Sequence, residues 1–240
     1  KTPQYIHLPL ILGSDGSPLS KRHGAVSLSH YQKEGFLPEA LFNYLALLGW
    51  GPEGNQEFFR PSELIEKFSL KRLIRSGARF DLEKLRWINA QHLRALPEEE
   101  YLQRIRDTYP DFPAEKLDRI ALLYRPRIQT LKDLTQEASY CFHEVETYDL
   151  EAMNRSLGTS GLREKLLDLK KALEPLWDFE DIVKLETLLR ESAQRGGVEA
   201  KVLIHPLRLA LTGKGVSPGI FELMRVLGKE VCLKRLDRLM

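Results

Sequence analysis

The sequence predicts a mainly α-helical protein. After about residue 30, apolar residues recur at helical spacing, and Pro or Gly separates each such stretch from the next. Before that point, residues 5–12 form one short apolar run that ends in a turn-rich loop, the pattern of a single strand. With 240 residues, 42% of them hydrophobic, the chain is large enough for one or two packed cores.

Three helices are predicted before residue 97. The first helix begins at Pro38 and ends at Gly49, and the second helix begins at Pro61. The third helix is capped by Asp81 and ends before Pro97. The helical period assigns the inward positions. These are Leu41, Leu45 and Leu48 in the first helix, Leu64, Ile65 and Phe68 in the second, and Leu82, Leu85, Ile88 or Trp87, and Leu96 in the third.

The rest of the chain predicts successive amphipathic helices. One follows Pro113, and the step Arg125-Pro126-Arg127 interrupts its pattern. Residues 148–159 are predicted as a boundary between two helical bundles. Beyond that boundary we expect helices at 160–177, 178–195, 199–211 and 217–228.

Composition excludes several classes of protein. No apolar run approaches the roughly 20 residues that cross a bilayer, so no membrane-spanning helix is expected. Cys141 and Cys232 lie far apart without CxxC spacing, which predicts reduced, buried thiols in a cytoplasmic protein. The six histidines show neither HExxH nor paired spacing, and no metal site is predicted.

The nearly neutral total charge conceals an uneven distribution. Residues 1–92 carry 12 basic and 9 acidic residues, 93–149 carry 8 and 12, and 150–240 carry 16 and 13. The excess is concentrated at 60–86, with 8 basic and 4 acidic residues, and at 201–240, with 8 and 3. Such stretches could bind the phosphates of a nucleic acid, but solvated helix surfaces have the same composition.

The segment Asp15-Gly-Ser-Pro-Leu-Ser-Lys-Arg-His-Gly24 carries the clearest chemical signal. Two glycines flank Ser20, Lys21 and Arg22, so that backbone amides, a hydroxyl, an ammonium and a guanidinium can converge on an anion. The pattern GxxxxGK[ST] is absent, so this is not a P-loop. Composition alone is also that of an ordinary solvated turn.

The order of several stretches adds a resemblance to a known family. They are His-Leu-Pro-Leu (7–10), Ser-Lys-Arg-His-Gly (20–24), Tyr31, Glu-Gly-Phe-Leu-Pro-Glu-Ala-Leu (34–41), Asn-Tyr-Leu-Ala-Leu-Leu-Gly-Trp (43–50), Phe-Asp-Leu-Glu-Lys-Leu-Arg-Trp-Ile-Asn (80–89), Arg-Pro-Arg-Ile-Gln-Thr-Leu (125–131) and Pro-Leu-Arg-Leu-Ala-Leu-Thr-Gly (206–213). Each is weak alone. Together they resemble the glutamyl-tRNA synthetases of bacterial type, and Leu19-Ser-Lys-Arg22 is similar to the KMSKS loop of class I aminoacyl-tRNA synthetases.

The resemblance implies an enzyme that activates glutamate with ATP, with Mg²⁺ expected, and transfers it to its tRNA. It implies that Lys21 meets the charge on ATP, with Ser20 and Arg22 beside it. Pro18 stands where the motif has its first lysine, which leaves one charge fewer. The family's HIGH motif is absent from the 240 residues, so we expect the chain to be the C-terminal part of the enzyme and inactive alone in adenylate formation.

The same resemblance assigns four regions. They are the end of the catalytic domain at 1–30, a stem-contact region at 31–92, and helical anticodon-binding subdomains at 93–149 and 150–240. In the stem-contact region, Lys71, Arg72 and Arg75, with Arg79, are expected to bind phosphates. Phe80 and Trp87 are expected in the core.

Arg127 and Arg208 are the expected anticodon-side residues, since a guanidinium can stack on and hydrogen-bond to unpaired bases. An arginine at 127 fits the kind of enzyme that rejects tRNA for glutamine. For Arg208, capping a carbonyl or pairing with a carboxylate stays an alternative.

The leading interpretation is therefore the tRNA-binding portion of a cytoplasmic, monomeric glutamyl-tRNA synthetase. A free-standing tRNA-binding or adaptor protein with a vestigial loop is the second, and a purely structural helical scaffold is the third. Glutaminyl enzymes are disfavoured because their anticodon part is a β-barrel.

Overall fold

The computed structural model describes residues 2–3, 5–20, 27–157 and 161–240. Within these ranges the chain is mainly α-helical, which confirms the predicted fold class. The helices are α1 Leu28–Lys33, α2 Pro38–Gly49, α3 Pro61–Lys67, α4 Leu82–Ala95, α5 Glu98–Thr108, α6 Ala114–Tyr124, α7 Asp133–Glu137, α8 Ser139–Phe142, α9 Leu150–Leu157, α10 Leu162–Leu173, α11 Ile182–Arg195, α12 Lys201–Thr212, α13 Ile220–Leu227 and α14 Lys229–Leu239. A 3₁₀ turn, Leu70–Arg72, lies between α3 and α4.

Residues 5–12, predicted as a strand, do not form a regular one. Leu12 makes isolated bridges to Pro18 and Arg79, and the preceding residues have no strand beside them among the described ranges. A strand needs a neighbour to satisfy its backbone N–H and C=O groups, and Pro9 has no N–H to donate. Residues 5–12 therefore have the apolar pattern of a strand, but no strand among the described residues pairs with them.

Several helix boundaries predicted from local signals are confirmed. α2 runs from Pro38 to Gly49. Asp81 caps α4 as predicted, its Oδ1 accepting a hydrogen bond from the Lys84 N–H at 3.1 Å. The helix expected from residue 178 begins instead at Ile182, where Asp181 caps it by accepting from the Lys184 N–H at 2.9 Å. Pro and capping residues act through the first turn of their own helix, so these boundaries depend little on tertiary structure.

Other predictions were wrong. Ile65 and Phe68 are exposed beside the buried Leu64, because α3 has only seven residues and buries one narrow stripe. Leu45, Leu82 and Trp87, also expected to point inward, are exposed. The segment 148–159 contains α9, which packs on α12, and the functional boundary expected there stays a prediction. The terminal helix α14 was not predicted.

The described chain divides into two compact units. Unit 1 consists of residues 1–114 and 125–137, and unit 2 of 115–124 and 138–240. In unit 1, α2 packs against α4 and α3; in unit 2, α10 to α14 pack together with α9. The functional boundaries expected at 30, 92 and 149 are finer divisions and stay predictions.

Two buried asparagines fix the backbone of unit 1. Asn89 Oδ1 accepts from the Leu37 N–H at 2.8 Å, and its amide donates to the Gln129 carbonyl. Asn43 Oδ1 accepts from the Phe59 N–H at 2.9 Å and lies 3.1 Å from Nε2 of His92. Because buried polar groups are costly unless paired, these contacts hold α2, α4 and the segment at 129 in one arrangement.

Candidate nucleic-acid interface

The glycine-rich loop begins as a tight hairpin. The Gly13 N–H donates to the Ser17 carbonyl at 2.8 Å, and the Leu19 N–H donates to the Ile11 carbonyl at 2.7 Å. Asp15 Oδ1 accepts from both the N–H and the hydroxyl of Ser17, each at 2.9 Å, and Gly16 has φ of 81°. The chain therefore enters Ser20 from an ordered turn, with Pro18 in its bridge to Leu12.

The structure describes only part of the expected nucleotide-binding core. Ser20 lies within the described residues, while Lys21, Arg22 and His23 lie outside them. The roles predicted for Ser20, Lys21 and Arg22 stay predictions.

The hairpin is joined to the segment before α4. The Leu12 N–H donates to the Ala78 carbonyl at 2.9 Å, and the Phe80 N–H donates to the Leu12 carbonyl at 2.8 Å. Phe80 packs edge-on against Tyr44, 5.3 Å between ring centroids, which agrees with its expected place near the core. The exposed Arg79 lies between these two hydrogen bonds and has no acidic partner among the described residues.

The basic residues of the 3₁₀ turn have different surroundings. Arg72 donates through Nε to the Gly51 carbonyl at 2.6 Å, through Nη2 to the Pro52 carbonyl at 2.7 Å, and through Nη1 to Glu53 at 3.0 Å. Lys71 and Arg75 are exposed, and no described carboxylate pairs with either. Arg72 thus has a structural task within the protein, while Lys71 and Arg75 present unneutralised charge.

The turn at 125–127 is anchored to the end of α4 by arginines. Arg125 donates to the carbonyls of Leu93 and Arg94, at 3.0 and 3.2 Å through Nη2, and to that of Leu96, while its guanidinium lies 4.7 Å from the centroid of the Tyr101 ring. These carbonyls have no intrahelical donor, so Arg125 caps the helix. The exposed Arg127 follows two residues later.

The far side of the same turn is also fixed. Asp133 accepts hydrogen bonds from the N–H groups of Gln129 and Thr130 at 2.9 and 2.8 Å, and it forms an ion pair with Arg86 of α4. Gly35, with φ of 78°, accepts from the Leu131 N–H at 3.0 Å. A Cβ at Gly35 would lie 2.7 Å from the Lys132 nitrogen, so a side chain is excluded there.

An aromatic surface that sequence reasoning missed lies on α4. Trp87 is 42% exposed, although it was expected in the core. The buried positions of α4 include Leu85, Ile88 and His92, and a residue turns by about 100° from its neighbour, so Trp87 points away from that buried face. This helical register was the signal in the sequence that could have found it.

Trp87 and Arg127 lie on adjoining segments. Next to Trp87, Arg86 donates to the Gln129 side chain at 2.9 Å; further along α4, Arg94 donates to the Pro126 carbonyl at 3.3 Å. Trp87 and Arg94 are seven residues apart on the same side of the helix, about 10 Å along its axis. The exposed Trp87, Arg94 and Arg127 therefore lie in one region of unit 1.

Arg208 lies in unit 2, half-buried on α12. Its Nε donates to the hydroxyl of Ser217 at 3.0 Å, which joins α12 to the loop before α13. The structure gives the predicted Arg208 a hydroxyl partner on a neighbouring loop, and does not bring it together with Arg127 in one unit.

The remaining chemistry of the described residues is limited. Cys141 and Cys232 are buried, free thiols, as expected, and burial raises the pKa of Cys141 to about 12. No group of three or more His, Cys, Asp or Glu side chains in the described ranges could hold a metal ion. No helix among these residues combines the length and apolar character needed to span a bilayer.

A helical chain that combines a glycine-rich Ser-Lys-Arg loop with exposed tryptophan and arginine surfaces has the features of the RNA-binding part of an aminoacyl-tRNA synthetase. Comparison with known proteins agrees with that class. The family described as "Anticodon binding domain" matches residues 90–240, and that described as "tRNA synthetases class I (E and Q), catalytic domain" matches residues 1–87.

Curated relatives narrow the class. The glutamate–tRNA ligase of Desulforudis audaxviator is 39% identical over 98% of this chain and 49% of its own length, and that of Moorella thermoacetica is 38% identical over 98% and 50%. A crystal structure of a glutamate tRNA ligase from Elizabethkingia meningosepticum, in complex with its amino acid, superposes with a TM-score of 0.85 at 28% identity, over 99% of this chain and 51% of that one. The chain belongs to the glutamate–tRNA ligase family and matches its C-terminal half.

The chain spans about half the length of the curated relatives it matches. The matches to ligases along nearly the whole chain favour the ligase family over a free-standing adaptor protein.

Proposed function

We propose that this chain is the tRNA-binding part of a cytoplasmic, monomeric glutamate–tRNA ligase, and that Trp87 and Arg127 meet the unpaired bases of the anticodon. The observation that carries the proposal is that the turn at 125–127 is anchored to α4, the helix that carries the exposed Trp87. Proteins read unpaired RNA bases by stacking them on aromatic or guanidinium planes and by hydrogen bonding to their edges. Trp87 supplies a stacking plane, and Arg127 supplies planar donors.

The rigidity of this region supports specific reading. Arg125, Asp133 and the Asn89 amide each hold the backbone on one side of Arg127. A side chain whose backbone is fixed loses less conformational freedom when it binds. It also discriminates better between bases, because the backbone cannot shift to accommodate a non-cognate base. We expect Arg127 to favour tRNA for glutamate over tRNA for glutamine.

Lys71 and Arg75 serve as phosphate contacts in this proposal. Their charges are unneutralised by described carboxylates, so they attract the RNA backbone without reading its sequence. Arg72 has its nitrogens engaged by the loop at 51–53, and we expect it to shape that surface more than to touch RNA.

The loop at 15–24 provides the link to catalysis in the whole enzyme. The glutamate carboxylate attacks the α-phosphate of ATP and pyrophosphate leaves. A hydroxyl of the terminal adenosine of tRNA then attacks the adenylate carbonyl, the bond between that carbonyl and the phosphate oxygen breaks, and AMP leaves. Negative charge grows on the phosphate oxygens in the first step, and the Lys21 ammonium, with Ser20 and Arg22, stabilises it there. Mg²⁺ would accompany ATP in the whole enzyme and would neutralise part of the phosphate charge.

The function is tested by equilibrium binding of the chain to transcribed tRNA for glutamate and for glutamine at 50 and 200 mM salt. Phosphate contacts require that affinity falls steeply as salt rises. Arg127→Gln is expected to weaken binding of the glutamate tRNA and to reduce the preference between the two tRNAs. The matched control is Arg163→Gln, an exposed arginine of α10 without a described acidic partner. Salt-independent binding, or equal effects of the two substitutions, would contradict the proposal.

A further inference from the structure

Unit 2 exposes its single tryptophan to solvent. Trp177 lies in the loop at 174–181, which joins α10 to α11, and the residue is 94% exposed. Val183, in the first turn of α11, is 75% exposed. Because the loop leads directly into that turn, both residues lie at the same end of the packed pair of helices α10 and α11. These two apolar side chains are available to a partner and add nothing to the core of unit 2.

The loop that carries Trp177 is fixed on both sides of the indole. Before it, Nζ of Lys229 on α14 donates to the carbonyls of Glu174 and Leu176, at 2.7 and 2.5 Å. After it, Phe179 is buried. A single exposed apolar residue is ordinary, but one on a fixed loop loses little conformational freedom when a partner covers it.

The same loop is acidic. It contains four carboxylates and no basic residue, and the four are Glu174, Asp178, Glu180 and Asp181. Two of them share their cation with another carboxylate. Lys170 lies 3.4 Å from Glu174 and 2.6 Å from Asp237, and Arg119 lies 2.5 Å from Glu180 and 3.5 Å from Glu115. Each cation is thus divided between two negative charges, and this end of the helix pair keeps an excess of negative charge.

Asp178 and Asp181 are the carboxylates nearest to Trp177 that remain free to pair. Both are exposed, and no basic side chain among the described residues forms an ion pair with either. Oδ1 of Asp178 accepts from the Glu180 N–H at 3.1 Å, and Oδ1 of Asp181 accepts from the Lys184 N–H at 2.9 Å. These hydrogen bonds orient the two side chains and leave their charge for a partner. The exposed Lys184 offsets at most one of these two charges.

This charge determines which class of partner the surface can bind. The phosphates of RNA or of an anionic membrane would be repelled, and so would the same loop of a second copy of the chain. A cationic protein segment would be attracted, and an arginine is favoured because its guanidinium can stack on an indole face while it pairs with a carboxylate. Tryptophan is also among the residues that contribute most to binding at protein interfaces.

We propose that Trp177, with Asp178 and Asp181, forms a docking surface for an arginine-rich segment of another protein. A guanidinium of the partner stacks on the indole, and neighbouring arginines pair with the two carboxylates. The inference goes beyond the proposed function, because it gives this end of unit 2 a protein partner and no contact with tRNA.

The test measures binding of fluorescein-labelled peptides to the 240-residue chain by fluorescence anisotropy at 50 mM salt. The probe is an eight-residue peptide of alternating arginine and glycine, and the same peptide with glutamate in place of arginine is its control. The arginine peptide should bind saturably, and the glutamate peptide should not. Binding should weaken as salt rises, because the ion pairs with Asp178 and Asp181 are exposed. Absence of saturable binding of the arginine peptide would overturn the proposal.

Substitutions in the chain locate the bound peptide. Trp177→Ala is expected to weaken binding at least about fivefold, and Trp177→Phe less, because a phenyl ring attracts a cation less strongly than an indole does. Asp178→Asn keeps an acceptor for the Glu180 N–H but removes the charge, and it should weaken binding about two- to threefold. The matched control is Glu164→Gln, which removes an exposed carboxylate from the first turn of α10, at the end of that helix opposite to the loop. It should bind like the unchanged chain.

The same variants distinguish the other partners. Trp177→Ala should leave the affinity for tRNA for glutamate and the sedimentation behaviour unchanged, and circular dichroism checks that it is folded. Equal peptide binding by Trp177→Ala and the unchanged chain would show that the peptide binds elsewhere. Weaker tRNA binding by this variant would make the loop an RNA contact, and loss of a dimer would make the partner a second copy; either result would contradict the proposal. Failure of the docking surface alone leaves the proposed function standing, since tRNA binding by the unchanged chain is measured separately.

Discussion

Arg86 on α4 and Asp133 at the start of α7 form a two-point ion pair, in which Nη2 of Arg86 lies 3.0 Å from each carboxylate oxygen of Asp133. The same carboxylate accepts the N–H groups of Gln129 and Thr130. One acidic side chain therefore joins the helix that carries Trp87 to the turn that carries Arg127. The geometry of the proposed anticodon surface depends on this junction.

Asp133→Asn should weaken this junction. The Asp133 side chain is only 14% exposed, and the substitution removes its charge from an ion pair with several hydrogen bonds. We expect a loss of about 2 kcal/mol in the free energy of unfolding, measured in urea, with weaker tRNA binding. Glu99→Gln is the control, since Glu99 pairs with Arg106 at 3.0 Å but its side chain is 80% exposed, and its loss should be below about 0.5 kcal/mol. Equal losses for the two variants would show that Asp133 has no special structural role.

Gly213→Ala should destabilise unit 2. The added Cβ would meet the Thr147 carbonyl oxygen at 2.3 Å in a backbone conformation that side chains rarely adopt. A loss of about 2 kcal/mol or more in unfolding free energy is expected from strain and displacement of the Thr147 segment. Gly54→Ala is a control for positive φ alone, because its φ is 69° and no atom lies within 4 Å of the new Cβ. A Gly213 variant as stable as the Gly54 variant would contradict the steric argument.

His92 should make unit 1 sensitive to acid. Burial, opposed by nearby Glu39 and reinforced by Arg104, lowers the pKa of His92 from 6.5 to about 4. Below pH 6.5 the unfolded chain takes up a proton that the folded chain refuses, so stability is full above that pH and falls progressively down to pH 4. We expect His92 to account for a loss on the order of 2 kcal/mol across this window.

The measurement is urea unfolding of the unchanged chain and His92→Gln between pH 7 and 4. Subtracting the two profiles removes the contribution of the carboxylates, which both chains share. The difference should shrink as pH falls. A constant difference would mean that His92 is protonated equally well in both states.

Substitutions at Arg72 and Lys71 should have different effects, the first on the stability of the fold and the second on RNA binding. Arg72→Gln removes hydrogen bonds to the Gly51 and Pro52 carbonyls and is expected to cost about 1 kcal/mol in unfolding free energy. Lys71→Gln removes an exposed charge, and it should leave stability unchanged while lowering the salt slope of tRNA binding. The reverse assignment of effects would overturn the distinction drawn between these neighbours.

Local sequence signals determined much of the fold. Pro38 and Asp81 each act on the first turn of their own helix, and both boundaries were predicted correctly. The helix expected from residue 178 begins later, at Ile182, because Asp181 is its N-cap. Burial was less predictable because it depends on which neighbour a helix meets. Ile65 and Phe68 have the apolar character of core residues but stay exposed, although one side of the Phe68 ring packs against Trp50 at 5.7 Å between ring centroids. The segment 5–12 finds no partner strand among the described residues.

The candidate site was predictable in its residue types and less so in its geometry. The family resemblance pointed to Arg127 and Arg208, but the contacts that hold them, from Asp133 and Ser217, depend on packing between distant segments. Trp87 was assigned to the core because tryptophan is usually buried, although the register of α4 placed it on the outer face.

The central claim is that the Trp87 and Arg127 region meets anticodon bases. The most direct test follows the tryptophan fluorescence of the Trp177→Phe variant. This substitution removes the 94% exposed indole, so that Trp87 is the accessible tryptophan and the other remaining one, Trp50, is buried. Titration with tRNA for glutamate should quench this emission saturably, because a base stacks on the indole. An isolated anticodon stem-loop should compete for the quenching site, and a duplex carrying only the acceptor stem should not. Unchanged emission at saturating tRNA, or competition by the acceptor duplex alone, would contradict the account.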